Sequence, residues 1–223
     1  MQVYESLVPP PIDKNGVLLL LPDGFGHVTH NFILADDFAQ VGWHVVVPDY
    51  YEEQPWSEEQ KQKLRDLDFP AWLNRHNHQH VSRLLEELVV HLCQHHPATT
   101  FVGVGYCFGG KHVMRLAQAP LTAAVAFHPS FVEAADMDGV NIPLYAGLAA
   151  CDDMVPASLA ADLQGWSTSR MDNQSLFTLE IYPNVGHGFA ARPDTKDGTV
   201  KEQYIQAFTR TVAFLAKHAN ALS

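Results

Sequence analysis

The stretch "TTFVGVGYCFGGKH", Thr99 to His112, constrains the fold more than any other part of the chain. A β-branched, apolar run leads straight into a turn in which one cysteine stands between glycines, and a helical pattern follows. A turn of the form G-x-nucleophile-x-G joins a strand to a helix and holds its central side chain in a strained conformation at the sheet's edge. The small flanking residues let the backbone bend that sharply. Here the positions are Gly105, Tyr106, Cys107, Phe108 and Gly109, with Gly110 behind. A thiol at a helix N-terminus faces the positive end of the helix dipole and unpaired N–H groups, an environment that favours thiolate. The plainer alternative is a small buried cysteine in a glycine-rich helix start.

The rest of the chain agrees with such a turn. Apolar strand-like runs alternate with helical patterns, which implies an α/β fold with a mostly parallel central sheet and helices on both faces. Strands are expected at Val17–Leu21, "WHVVVP", Thr100–Val104, Thr122–Phe127, "IPLYAGLA" and "LFTLEIYP". Helices are expected at Asn31–Val41, Val81–Cys93, Lys111–Gln118, about Pro156 to Trp166, and the closing "EQYIQAFTRTVAFLAKH". The polar and aromatic segment from Asp49 to His80 reads as an excursion above the sheet, of the kind that forms lids and substrate walls. With no linker-like tract, residues 1–223 are expected to form a single domain.

Composition narrows the function. Lys and Arg total 14 against 25 Asp and Glu, a net charge of −11, the wrong sign for binding nucleic acid or anionic lipid. The longest apolar runs are too short to span a bilayer, and the start "MQVYESLVPPP" has no basic region followed by an apolar one. Three cysteines, Cys93, Cys107 and Cys151, are an odd number without zinc-type spacing, so a reducing, cytoplasmic compartment is expected, with no disulfide framework. Cys93 and Cys151 read as small apolar packing groups. The histidines of "RHNHQH" and "QHH" read as a solvated surface, with no metal. No cofactor is called for, and the partner expected is a small molecule, with the chain a monomer or homodimer.

A nucleophile at such a turn needs a base and an orienting acid, which in this fold class follow it in the order nucleophile, acid, histidine. After the strand ending at Ala149 comes "CDDMVP", and after the strand ending at Pro183 comes "NVGHGFAARP". Both lie at C-terminal strand ends, where open α/β sheets place their chemistry. His187 is the candidate base. Asp152 and Asp153 are not separated by spacing; one can orient the histidine while the other caps the next helix. His128, in "AFHPSF", also ends a strand and is a rival base or a substrate-facing group.

With these motifs in order, the chain resembles the dienelactone hydrolase family of α/β-hydrolases, particularly its fungal branch. The resemblance runs from "LLLLPDGFG" and "ADDFAQVGWHVVVPDYY" through "GYCFGGKHVMRLA", "AFHPSFV" and "DDMVP" to "GHGFAARPDTKDG". It implies a Cys-Asp-His triad acting on ester or lactone carbonyls, with Cys107 as nucleophile, Asp152 as acid by the D-x-x-V-P pattern, and His187 as base. Asp23 stands where bacterial members carry a Glu that can touch the resting thiol, though the shorter Asp reaches less far, and the resemblance implies substrate-side roles for Asp23 and for Arg192, which resembles a fungal-type arginine able to pair with a substrate carboxylate. The lead before the first core strand is shorter than in relatives, and the Asp49–His80 excursion matches no family motif.

The expected reaction is hydrolysis through an acyl-enzyme, the oxyanion resting between the backbone N–H groups of Phe108 and Phe25. Two other readings use the same residues: a biosynthetic isomerase, cyclase or thioesterase-like enzyme on a polyketide-type intermediate, and a non-enzymatic redox-sensing or binding protein.

Overall fold

The computed structural model describes residues 1–10, 15–56, 69–97, 99–170 and 176–219. Part of the Asp49–His80 excursion, residues 57–68, lies outside the described residues.

Seven strands form one sheet: β1 (Val3–Ser6), β2 (Gly16–Leu21), β3 (Trp43–Pro48), β4 (Phe101–Tyr106), β5 (Leu121–Phe127), β6 (Leu144–Ala149) and β7 (Phe177–Tyr182). Their order across the sheet is β1-β3-β2-β4-β5-β6-β7. All neighbours are parallel except the β1–β3 pair, which is antiparallel, with Val3 opposite Pro48 and Ser6 opposite Val45. The helices are α1 (Thr29–Gln40), α2 (Phe69–Arg75), α3 (His78–His95), α4 (Phe108–Arg115), α5 (Leu159–Arg170) and α6 (Gly198–Ala219), with a short 3-10 turn at Ala134–Met137.

The burial follows from sequence. Strands β2 to β6 are buried at every residue, as continuous apolar runs with helices on both faces require. Successive side chains take opposite faces. Val17, Leu19 and Leu21 pack in one core with Leu85 and Leu88 of α3, Val113 of α4 and Leu163 of α5. Leu18 and Leu20 pack in the other with Leu34 and Phe38 of α1 and Leu215 of α6. Helix α3 is amphipathic, burying Val81, Leu84, Leu85, Leu88, Val89 and Leu92, and Asn77 caps it by accepting the His80 N–H at 3.0 Å. The exposed edges are β1 and β7, where burial is broken.

The expected strands and helices are present within a few residues of their ends. Strand β1 is additional: four residues with a weak alternation are too short to stand out as a pattern, and it exists by pairing with β3. Helix α4 begins at Phe108, three residues before the expected Lys111, so the helix starts immediately after the cysteine.

The strand order sets where chemistry can occur. The chain leaves β2, adds β3 on one side, then returns to add β4 on the other. The loops after β2 and β4 therefore diverge at the sheet's C-terminal edge and open a crevice there. Helix α4 packs so tightly into this edge that glycine is required: a Cβ on Gly105 would lie 2.2 Å from the Gly109 carbonyl oxygen, and one on Gly109 would lie 2.2 Å from that of Leu21. Gly165, inside α5, has nothing among the described residues within 4 Å of its Cβ position.

Opposite outcomes are expected from two alanine substitutions measured by urea unfolding. Gly109→Ala forces backbone apart and costs more than about 3 kcal/mol. Gly165→Ala removes a flexible residue from a helix and gains about 0.5–1 kcal/mol.

Candidate active site

The site is built on the residue that turns from β4 into α4. Cys107 has φ 54° and ψ −116°, a conformation that an L residue holds only when its surroundings force it. Three hydrogen bonds do so. The Cys107 N–H donates to the Phe127 carbonyl at 3.0 Å, while its carbonyl accepts from the Gly110 and Ser130 N–H groups, each at 3.0 Å. The side chain is 2% exposed, and Sγ lies 3.4 Å from the Ser130 hydroxyl.

The loops after β6 and β7 supply an acid and a histidine. Nδ1 of His187 is 2.8 Å and 3.0 Å from the two carboxylate oxygens of Asp152. Since both are acceptors, Nδ1 carries the proton and Nε2 is the nitrogen turned to the site. The two side chains are 4% and 1% exposed. The Met154 N–H donates to Asp152 Oδ1 at 2.9 Å and fixes the carboxylate from behind. Asp153 is exposed. Of the two acids that spacing left open, Asp152 is the one that reaches the histidine.

His187 Nε2 is buried and makes no hydrogen bond among the described residues, yet it is near enough to Cys107 for the sulfur to act on its ionisation. Burial pushes the imidazole down, but the Cys107 sulfur and the Asp152 carboxylate together outweigh it and raise the pKa to about 10. His128 behaves oppositely. It is fully buried, its ring centroid lies 4.9 Å from that of His187, and both its nitrogens lack hydrogen-bond partners among the described residues. Burial, with His187 and Arg192 adding to it, holds His128 well below the usual histidine range, so it stays neutral. With its nitrogens enclosed and no acid beside it, His128 is a wall against which His187 packs.

The first loop carries a second acidic centre. Asp23 is buried and accepts from the Phe25 N–H (3.3 Å), from His30 Nε2 (3.1 and 3.2 Å) and from Asn31 Nδ2 (3.0 Å). Burial opposes its ionisation, but His30, Asn31 and Arg192 outweigh that and hold the carboxyl below its ordinary range. Arg192 Nε is 3.4 Å from Asp23 Oδ2, and the guanidinium lies over the Phe25 ring, 5.0 Å from its centroid. Gly188 makes room for this fold-back, since a Cβ there would stand 2.8 Å from Arg192 Cζ. Thus Asp23 partners Arg192 and the Phe25 backbone, while the cysteine sulfur has Ser130. The Phe25 N–H, expected as an oxyanion donor, is engaged by Asp23; the Phe108 N–H, first in α4, has no acceptor among the described residues.

The excursion closes one side with aromatic rings. Tyr50, Tyr51, Trp56 and Trp72 are buried; Trp72 meets Phe108 edge-on at 4.8 Å and Trp56 meets Phe25 at 5.2 Å. The backbone N–H of Trp56 donates to the Gly24 carbonyl at 2.8 Å, docking the excursion on the first loop. A cavity of about 360 Å³ lies between α2, α4 and the loop after β5, lined by Leu73, His76, Phe108, Lys111, Phe131 and Glu133 among others. Phe108 forms its boundary with the site; Cys107, Asp152 and His187 do not line it.

Sequence reasoning missed Ser130, His30 and Asn31. Ser130 stood in plain view three residues past β5, at the sheet edge that bears every other site residue. Cys151 requires a correction: it is exposed, not packed. Its backbone N–H bonds the Val185 carbonyl at 3.0 Å as the chain leaves β6, and this turn leaves the side chain in solvent.

A parallel sheet with this order, a strained cysteine between strand and helix, and a histidine–carboxylate pair on later loops define an α/β-hydrolase. The dienelactone hydrolase family model matches residues 4–219, and the chain belongs to that family. "Hydrolase tropI" of Talaromyces stipitatus is 29% identical over 98% of this chain and 87% of that protein. "Dienlactone hydrolase 1" of Gibberella moniliformis is 24% identical over 96% of this chain and 84% of that protein. Among solved structures, the dienelactone hydrolase of Anabaena variabilis superposes with a TM-score of 0.63 at 12% identity, covering 98% of this chain and 93% of that one. Family and relatives make this chain a hydrolase enzyme of the dienelactone type. Among the described residues no helix is long and apolar enough to cross a membrane.

The raised His187 has consequences for pH. Because folding favours the imidazolium, its contribution to stability is complete below the ordinary histidine value of 6.5 and is lost as pH rises through about 10. Cys107→Ala removes the sulfur that supports this, so the His187 titration followed by NMR is expected to move down by more than a unit. An unmoved titration would mean that the sulfur and imidazole are not coupled.

Proposed function

We infer that the enzyme hydrolyses an ester or lactone through a thioester on Cys107, with His187 as acid and base and Asp152 orienting it. The observation that carries this reading is the pairing of His187 Nδ1 with both oxygens of buried Asp152, which leaves Nε2 directed at a cysteine held on a strained turn.

The steps follow from the groups present. The Cys107 sulfur attacks the carbonyl carbon, forming a C–S bond and moving an electron pair onto oxygen. The Phe108 N–H receives that oxyanion; the Phe25 N–H joins it by exchanging its long 3.3 Å bond to Asp23 Oδ1. Collapse breaks the C–O bond, and the leaving oxygen takes the proton from His187 Nε2. The now neutral imidazole draws a proton from water as the water attacks the thioester, and collapse returns the thiolate and the imidazolium. In a lactone the leaving oxygen stays tethered to the acyl chain throughout, so ring opening releases nothing and hydrolysis of the thioester releases one hydroxy-acid product.

Arg192 is the proposed anchor for a substrate carboxylate. Its Nε faces Asp23, while its terminal nitrogens have no hydrogen bond to any described residue and sit over Phe25, beside the oxyanion loop.

Cys107→Ala is expected to leave the fold intact and cut turnover of a lactone or aryl ester by roughly three orders of magnitude or more. Retained turnover would overturn the covalent route. Asp152→Asn is expected to reduce kcat by about 10²–10⁴-fold while Asp153→Asn leaves it nearly unchanged; the reverse order would reassign the acid.

Arg192→Ala is expected to cost about 2 kcal/mol in kcat/KM on a carboxylated lactone and little on a neutral aryl ester. Equal losses on both would make the residue a support for the loop instead. Product analysis distinguishes hydrolysis, which adds one water to the lactone, from isomerisation or cyclisation, which adds none.

A further inference from the structure

We propose that Ser130 is a positioning residue for the nucleophile: its hydroxyl holds the Cys107 sulfur in line with the site and donates a hydrogen bond to the thiolate. The proposal rests on the reading of Cys107 as nucleophile and adds a fourth side chain to it.

The end of β5 and the segment that follows grip the cysteine at three points. The Phe127 carbonyl accepts the Cys107 N–H at 3.0 Å, the Ser130 N–H donates to the Cys107 carbonyl at 3.0 Å, and the Ser130 hydroxyl lies 3.4 Å from Sγ. The two backbone bonds fix Cys107 at φ 54°, and the third contact reaches the reactive atom itself. Ser130 is wholly buried, and Cys107 Sγ is the one hydrogen-bond partner of its hydroxyl among the described residues. A buried hydroxyl without a partner is costly, so this one is committed to the sulfur.

Ser130 cannot easily drift. Its own loop is pinned by the His128 N–H, which donates to the Gly147 carbonyl of β6 at 2.7 Å, and by Pro129, which lies 3.0 Å from where a Cβ on Gly110 would stand. The hydroxyl is therefore preorganised before substrate arrives.

The chemical need is clear from the other partners of the sulfur. His187 Nε2 is near enough to act on it electrostatically but makes no hydrogen bond to it, and Asp23 is occupied by His30, Asn31, Arg192 and the Phe25 N–H. Among the described residues the Ser130 hydroxyl is the one side chain hydrogen-bonded to the sulfur. A single hydrogen bond from a rigid hydroxyl restrains the sulfur and shares its negative charge. Once the thioester forms, the sulfur bears no charge and the hydroxyl loses its advantage there. The contact thus favours the free thiolate, and it assists release of the acyl group.

The test is iodoacetamide alkylation of native enzyme and variants at pH 7, with modification mapped to the Cys107 peptide by mass spectrometry so that exposed Cys151 does not count. Ester turnover and thermal unfolding are measured alongside. Ser130→Ala is expected to slow Cys107 alkylation about five- to twentyfold and kcat about tenfold or more, with KM within about twofold and the unfolding temperature little changed. Ser130→Thr and Ser130→Val have the same shape and differ by the hydroxyl, so Thr is expected to exceed Val at least fivefold in both rates.

Alkylation and kcat of Ser130→Ala within twofold of native would overturn the proposal, as would equal rates for Thr and Val. These outcomes are separate from failure of the hydrolase reading, which is read from Cys107→Ala alone: turnover without the cysteine would remove the mechanism, whereas an indifferent Ser130 would remove only this contact.

Discussion

The backbone at Cys107 is the constraint on which the site depends. An L residue at φ 54° and ψ −116° is strained by about 1–3 kcal/mol, and the strain persists because β5 and its following loop hold both polar groups of that peptide. The same geometry forces glycine at positions 105 and 109, where helix α4 approaches β4 and β2 too closely for a side chain. Strand order, helix placement and the two cores can be understood as the frame that keeps this single turn bent. Its return is a sulfur presented at the head of a helix, at the crevice edge where the loops after β2, β5, β6 and β7 all arrive.

Those loops divide the electrostatic work between two buried carboxylates. Among the described residues Asp152 has one partner side chain, His187, and orients that imidazole. Asp23 has several and binds inward, fastening the first loop to His30, Asn31 and Arg192. A buried charge survives only when paired and hydrogen-bonded, so the number of partners decides the part each acid plays. With few, an acid can bias a neighbouring proton; with many, it is a fixture. The neutral His128 beside His187 fits this economy, because a second cation there would oppose the imidazolium.

Much of this was legible in the sequence because it is written locally. Apolar runs, the period of α3 and the glycines around Cys107 each report on a few consecutive residues, and the order cysteine, acid, histidine reports on strand ends. What escaped was set by contacts between distant segments. Strand β1 exists through β3, four tens of residues away in sequence, and "VYES" alone has no strong pattern. Arg192 could be picked as a substrate contact, but its fold-back over Gly188 toward Asp23 depends on the approach of two loops from opposite ends of the chain. Spacing alone did not separate Asp152 from Asp153, since it contains no direction in space; it was the D-x-x-V-P resemblance that singled out Asp152, the acid that reaches His187. Ser130, an ordinary serine after a proline, acquires its meaning only from the 3.4 Å that separates it from the sulfur.

The central claim is that acyl groups pass through Cys107. Rapid-quench mass spectrometry of the intact enzyme, mixed with excess aryl ester and stopped within the first turnover, measures it directly. The account predicts a mass increase equal to one acyl group, mapped by proteolysis to the peptide bearing Cys107 and released by hydroxylamine as a thioester should be. Turnover with no adduct on Cys107 at any time, while product accumulates with a solvent oxygen delivered in one step, would contradict it.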